Sequence, residues 1–568
     1  MRKVMRNTNE PLQKMNLVDA VQRLGLGYDF EEEIDEALKQ INDVCIDDDL
    51  HAFALWFRLL RQWGYNTPSD GFNKFTNEHG KFNDSLNSDA KGLLSLYEAA
   101  HLALPGEDIL DEAVAFTMHH LPLIKNNNKS EHCICHSARE WRGSKQGNHF
   151  HYEKDEQRNE VLLELAKLDC NRVQRLLQKE LKNISLWWKE LALIEKLRFA
   201  RDRLVECYYW ALGVCPEPHQ SRSRRVFTKT VVLTSVLDDI YDHYGTIKEL
   251  TPFNDVIQRW DMEAMKQLPD YMQIFIHALA DIFEEFEKDL SPEGNSFRVD
   301  YLKKAMKNTS RFYLQEAIWG AEQYVPTFEE RLSVSVQTSG YPMLHCATLV
   351  GLEEINLTKE VYDWVTTIPK LVYSIALHSR LMDDIVDVEK DKIKLEEGQV
   401  ISTVQCYALK KGISEQEACI DLQKMIKECC KTINEELLKP SSIPIVARKP
   451  ALNLNCVAEV IYKSHNSYDE PSTDMKDNIS ALLVNQEFEG QGRVTEGSSN
   501  EEADIDEEQD PEGSDVSIGA EEVEGGSDFD QWRWVPSFVS HSLNPIFAAE
   551  NLFYTGFEAS CDGDFAHT

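Results

Sequence analysis

The sequence predicts an all-α protein, and three observations carry that prediction. From Leu17 to about Leu483 apolar residues recur at three- and four-residue spacing, the period of a helix with one buried face. Period-two runs closed by Asn-Gly or Gly-Gly turns, the mark of strands, are scarce. The periodic segments also open and close on cap and breaker residues.

Taken in order, "NLVDAVQRLGL" and "FEEEIDEALKQIND" give two amphipathic helices. "HAFALWFRLLRQWGY" is a strongly apolar helix with basic residues on one side. "SDAKGLLSLYEAAHLAL" opens on a Ser-Asp cap and closes at Pro105-Gly106, and "EDILDEAVAFTMHHL" follows it. The stretch from Ile124 to Glu156 is polar and weakly periodic, so it reads as a loop. From Gln486 to Asp530 the text is rich in Glu, Asp, Gly and Ser and cannot bury enough apolar surface to offset ordering entropy, so disorder is expected there. The aromatic stretch beginning "QWRWVPSF" is either a binding segment or text appended by a faulty gene model.

At 568 residues the chain is long enough for two or three domains. A net charge of −37 argues against nucleic acid as a partner. That charge is uneven: Gln486 to Thr568 holds 21 acidic and 2 basic residues. Thirteen cysteines without a regular framework fit a reducing compartment, and a cytoplasmic monomer is the expectation. No apolar stretch approaches the roughly 20 residues of a membrane span, and the first residues carry no signal core.

The chemistry concentrates in two acidic notches, "LDDIYD" and "MDDIVD". On a helix, positions i and i+4 share a face, so Asp238 and Asp242 project together with Asp239 beside them. Asp383, Asp387 and Asp391 extend the second row over two turns, with Arg380 one turn earlier. Magnesium takes one or two carboxylates plus substrate phosphates, so two such rows suit a metal-bridged diphosphate. Without cations the rows would repel, and some carboxylates should titrate at raised pKa. One such notch alone is more often a solvated helix end; two in apolar helices are harder to dismiss. Arg201 and Arg203, in "FARDRLVECYYWALG", offer planar forks suited to a leaving diphosphate, or else form a surface Arg-Asp-Arg cluster. "HCICH" (His132 to His136), with His149 and His151, matches no common zinc spacing and reads as loop.

With these motifs in view the chain resembles a plant terpene synthase of the ionising (class I) type, in its sesquiterpene branch. "FRLLRQWGYN", "LSLYEAAHLALPGEDILDEAVAFT", "LTSVLDDIYDHYGT", "RWDMEAMKQLPDYM" and "YVPTFEERL" are similar to that family's text, in its order, from about Pro11 to Val484. The resemblance implies a helical domain over residues 1–194 and a metal-binding helical bundle over 195–485. It implies ionisation and cyclisation of farnesyl diphosphate with three Mg²⁺ ions, Mn²⁺ being a possible substitute. Asp238, Asp239, Asp242, Asp383, Asp387 and Asp391 would hold metal. Arg201, Arg203 and Arg380 would hold diphosphate, with Asp238, Asp242 and Asp383 on the substrate side. Trp210 and Tyr462 would steady a carbocation, unless they are ordinary core aromatics. Thr338, Ser339 and Gly340 match a helix break facing the cavity.

The chain departs from the family pattern in four places. The second motif is all aspartate where Asn or Asp, Ser or Thr, and Glu are usual. The start is late, which predicts low activity or more hydroxylated product. Asn466 stands where an acidic residue is usual, two places before Tyr468. Everything after Asn485 is extra and expected to be dispensable. Other readings remain open: a prenyl-chain-elongating synthase, a monoterpene synthase using geranyl diphosphate, or a non-catalytic relative.

Overall fold

The structure is a computed structural model that describes residues 1–484, apart from 47–48, 128–151, 156–157, 262, 354–356, 397–398 and 464. The expected acidic tail (486–568) and the His132–His136 cluster with His149 and His151 lie outside the described residues. Within them the protein is helical, and one isolated bridge, Thr76 to Phe82, is its β-type pairing.

The amino-terminal helices form where the apolar periodicity predicts them. Pro11–Arg23 starts on Glu10, whose carboxylate accepts from the Leu12 and Gln13 N–H groups. Leu50–Trp63 stops at Gly64, which adopts φ +100, a left-handed conformation that favours glycine. Ala90–Ala100 begins on the Asp89 cap and ends five residues before Pro105. Asp108–Asn127 follows. These helices bury two clusters, one around Val18, Ile34 and Leu59, the other around Phe53, Phe57 and Phe72.

The helix Glu160–Leu191 joins the two halves, because Leu162 and Ala166 sit in the first cluster while Val173, Leu177 and Trp188 enter a third. That third core runs through the rest of the protein. Its walls are α1 (Leu204–Val214), α2 (Ser221–Asp239), α3 (Phe297–Ala321), α4 (Phe328–Thr338), α5 (Tyr341–Gly351), α6 (Lys370–Val386), α7 (Glu415–Leu438) and α8 (Ile445–Ile461). Helix α6 packs between α7 and α8, and α2 packs against α1 and α5. This arrangement sets the carboxyl ends of α2 and α6 at one cavity. Among the described residues no helix is long and apolar enough to cross a membrane.

Candidate active site

A cavity of about 720 Å³ opens between α2, α3, α4 and α6. All six aspartates of the two notches line it, as do Arg201, Trp210, Arg380 and Tyr462. Among the described residues ten carboxylates and three arginines line it.

The first row differs from a plain α-helical face. Helix α2 ends at Asp239, and the chain widens into a π-turn, Ile240–Tyr244, that carries Asp242. The Gly245 N–H reaches back to the Ile240 carbonyl at 2.8 Å, which closes that wider turn. Asp239 is buried, and both its oxygens accept from Arg201: Oδ2 from the backbone N–H and Oδ1 from Nε, each at 2.8 Å. Burial raises its pKa, and the Arg201 guanidinium opposes that rise. Asp239, expected as a ligand, accepts two hydrogen bonds from Arg201 in this structure. The remaining Arg201 nitrogens donate to Asp238, at 2.9 Å, and to Asp469.

In the second row the α-helix stops at Val386 and a new helix, Val388–Glu396, begins. The register survives the interruption: the Asp387 N–H donates to the Asp383 carbonyl at 3.0 Å, and the Asp391 N–H to the Asp387 carbonyl at 2.8 Å. Arg380 donates to Asp383 at 2.9 Å and to Asp384 at 3.3 Å, while its buried Nε has no hydrogen-bond partner among the described residues. Asp384, the unassigned aspartate of "MDDIVD", is buried and also accepts from the Thr403 N–H at 3.1 Å. It positions Arg380.

Arg203, expected to hold diphosphate, is not among the residues that line the cavity. Its Nε donates to the Tyr468 carbonyl at 2.9 Å and another nitrogen to the Asp469 carbonyl. At the start of α1 it faces the strap 466–470 and braces it.

Glu316 and Asp469 were invisible to sequence reasoning, and Asn466 was marked there as a departure from the family pattern without its contacts. Asn466 donates from Nδ2 to Asp383 at 2.9 Å and to Asp387 at 3.0 Å. Its Oδ1 accepts the N–H groups of Tyr468 and Asp469, and that turn fixes which way the amide points. Glu316 on α3 pairs with Arg331 and accepts from the Thr338 hydroxyl. Asp469 closes on Arg201 across the cavity mouth. An Asn-Ser-Tyr-Asp run in a loop is a turn signal, which would have located the strap but not its contacts.

Deeper in, the wall is apolar. Trp210 is buried with ring centroids 5.6 Å from Tyr468 and 5.8 Å from Tyr341. Tyr462, the residue after α8, is likewise buried. The expected helix break is present: α4 ends at Thr338, Gly340 takes φ +78, and Pro342 opens α5. The Thr338 hydroxyl is engaged by Glu316 and the Ser339 hydroxyl by the Val336 carbonyl, so neither proton is aimed at the cavity.

The donor set fits divalent magnesium. Hard oxygen donors dominate, and acidic groups outnumber the arginines that could neutralise them. Asp238 and Asp242 would hold cations from one side, Asp383, Asp387 and Asp391 from the other. Both rows line the one cavity, as suits cations completed by phosphate oxygens.

An all-α bundle with two carboxylate rows at the mouth of an apolar-walled cavity defines a class of divalent-metal-binding helical proteins. The particular family follows from the comparisons. Residues 1–140 match the terpene synthase N-terminal domain, and residues 189–432 match the terpene synthase family metal binding domain. Sesquiterpene synthase 2 of Toona sinensis is 44% identical over 83% of this chain and 87% of its own length. The (−)-germacrene D synthase of Vitis vinifera is 43% identical over 85% and 88% respectively. The crystal structure of isoprene synthase from grey poplar, in complex with three Mg²⁺ ions and dimethylallyl-S-thiolodiphosphate, superposes with a TM-score of 0.78 at 34% identity, covering 85% of this chain and 94% of that one. The chain belongs to the terpene synthase family. It is an enzyme fold with a divalent metal as cofactor.

Proposed function

We propose that this protein ionises farnesyl diphosphate and cyclises it to a sesquiterpene, releasing diphosphate as a carbon–oxygen lyase. The observation that carries the reading is the pair of facing carboxylate rows, in a chain whose relatives at 43–44% identity are named for sesquiterpene synthesis. Mg²⁺ is the expected metal, three ions the expected number and Mn²⁺ a substitute. When bound, the cations supply positive charge to the departing diphosphate.

The chain's own residues then divide the work. Arg380, which lines the cavity, donates to diphosphate oxygens, and Arg201 swings from Asp238 to do the same. Charge is thus stabilised as the C–O bond breaks. Buried Trp210 offers a ring face to the allylic cation, and Tyr462 borders it. The closed strap 466–470, braced by Arg203, helps exclude water that would quench the cation. Residues 1–194 and 195–485 serve as the two domains, and a cytoplasmic monomer is the working form.

The test is incubation of the purified chain with farnesyl diphosphate and Mg²⁺, with geranyl diphosphate in parallel and products read by mass spectrometry. A Mg²⁺-dependent C15 product is expected. Turnover of geranyl diphosphate alone, or of neither substrate by a folded chain, overturns the reading.

A further inference from the structure

A second cavity, about 440 Å³, lies outside the catalytic one, between α3, the α4–α5 break and the turn after Lys359–Thr366. Its rim carries Lys304, Lys307 and Arg311, spaced along one face of α3. Among the described residues no aspartate or glutamate lines it, in a chain of net charge −37. Neighbouring lysines are neutralised: Lys303 pairs with Glu287, and Lys288 with Glu284. Among the described residues, Lys304, Lys307 and Arg311 have no carboxylate within 4.0 Å. Three cations around one concavity repel one another unless an anion sits between them.

The floor is different. Pro342, Met343, Cys346 and Ile368 form it, with Met343 and Cys346 buried. Burial pushes the Cys346 thiol up to about 12, so it is a neutral, weakly polar wall. The hydroxyls of Thr366 and Thr367 are already committed to the Tyr362 and Trp364 carbonyls. A cationic rim over an apolar floor suits a ligand with an anionic head and a short hydrocarbon part.

We propose that this cavity binds a phosphorylated amphiphile, a phosphate or diphosphate ester of a short hydrocarbon chain, and that its occupancy is transmitted to the catalytic cavity. The head group lies among Lys304, Lys307 and Arg311, and the chain rests on Met343 and Cys346. The route of transmission is one side chain thick. Met343 Sδ accepts from Thr309 Oγ1, on the second cavity, at 3.8 Å and touches Thr234 Oγ1, on the catalytic cavity, at 4.0 Å, the Thr234 proton going to the Thr230 carbonyl. Gln337 and Pro342 line the second cavity, while Thr338, Ser339 and Gly340 between them line the first. A ligand seated there presses on both sides of the helix break.

The test uses the full chain in EDTA, without prenyl substrate, so it stands apart from any failure of the catalytic reading. Pentyl phosphate and inorganic phosphate are titrated by calorimetry into the native chain and a Lys304→Glu, Lys307→Glu double variant. Both lysines are at least partly exposed, and circular dichroism melting confirms that the variant folds. One-to-one binding of pentyl phosphate is expected, roughly tenfold tighter than inorganic phosphate and weakened roughly tenfold or more in the variant. Equal affinity for the two probes overturns the amphiphile. Undiminished binding to the double variant, or none to the native chain at about 10 mM, overturns the site. In turnover assays pentyl phosphate is expected to change the rate of the native chain and not that of the variant; equal response of both overturns the coupling.

Discussion

Replacing Asn466 tests how the second carboxylate row is held together. Its amide lies 2.9 Å from Asp383 and 3.0 Å from Asp387, and the side chain is buried. A hydrogen bond to a charged group contributes about 1.5–3 kcal/mol, so losing two in Asn466→Ala should cost about 3 kcal/mol or more. Asn466→Asp goes further, because it places a third carboxylate about 3 Å from two others. At an effective dielectric of about 20, each such contact would cost about 5 kcal/mol if fully ionised. The new carboxyl therefore holds a proton in the folded state, with its pKa raised above the unfolded value of about 3.9. The sign follows: the variant loses stability relative to the native chain as pH rises from about 4 through that raised pKa. The assay is thermal melting from pH 4.5 to 8.5, in EDTA and again with Mg²⁺ and inorganic diphosphate. A melting deficit that grows with pH in EDTA and shrinks when cations fill the gap is expected. Equal melting of Asn466→Asp and the native chain across that range would refute the bridging role.

The other predictions concern single groups. Arg203→Gln should lower turnover and raise the share of water-quenched, hydroxylated product, because the Tyr468 and Asp469 carbonyls lose their brace; an unchanged product profile counts against the strap. Asp387→Thr removes one carboxylate from the second row and should raise the Mg²⁺ concentration needed for half-maximal activity; unaltered Mg²⁺ dependence removes Asp387 from the ligand set. Gly340→Ala meets no atom within 4 Å but must hold φ +78, so it should cost about 1–2 kcal/mol of stability through the backbone alone, read by denaturant melting. Buried His378 donates to Glu459 at 2.6 Å. Burial alone would lower its pKa, but Cys430 and Glu459 outweigh that and raise it to about 10. The pair's contribution is complete below about pH 6.5 and is lost as pH climbs toward 10, so His378→Leu, Glu459→Leu should flatten the alkaline fall in stability.

The amino-acid sequence by itself determined the helical class, the positions of most helices and both acidic rows. Each of these is written in local spacing. Heptad-like apolar periodicity places a helix whatever it later packs against, and three aspartates at short intervals stay near one another in any helical context. The helix break at Thr338–Gly340 was equally legible, because Gly and Pro act on their own backbone. What the tertiary structure alone decided is which side chain meets which across long stretches of chain. Arg201 and Arg203 are two residues apart, yet one enters the cavity and the other grips the outside of a strap more than 260 residues away. Asp239, a ligand by the family resemblance, meets Arg201 from 38 residues away, and Asn466 becomes the bridge between two carboxylates because α6 and the strap converge. The unopposed cations above Met343 and Cys346 become a cavity because α3 and α5 pack side by side. Periodicity fixes faces; the partner of a face is set by packing between elements distant in sequence, and no local pattern encodes it.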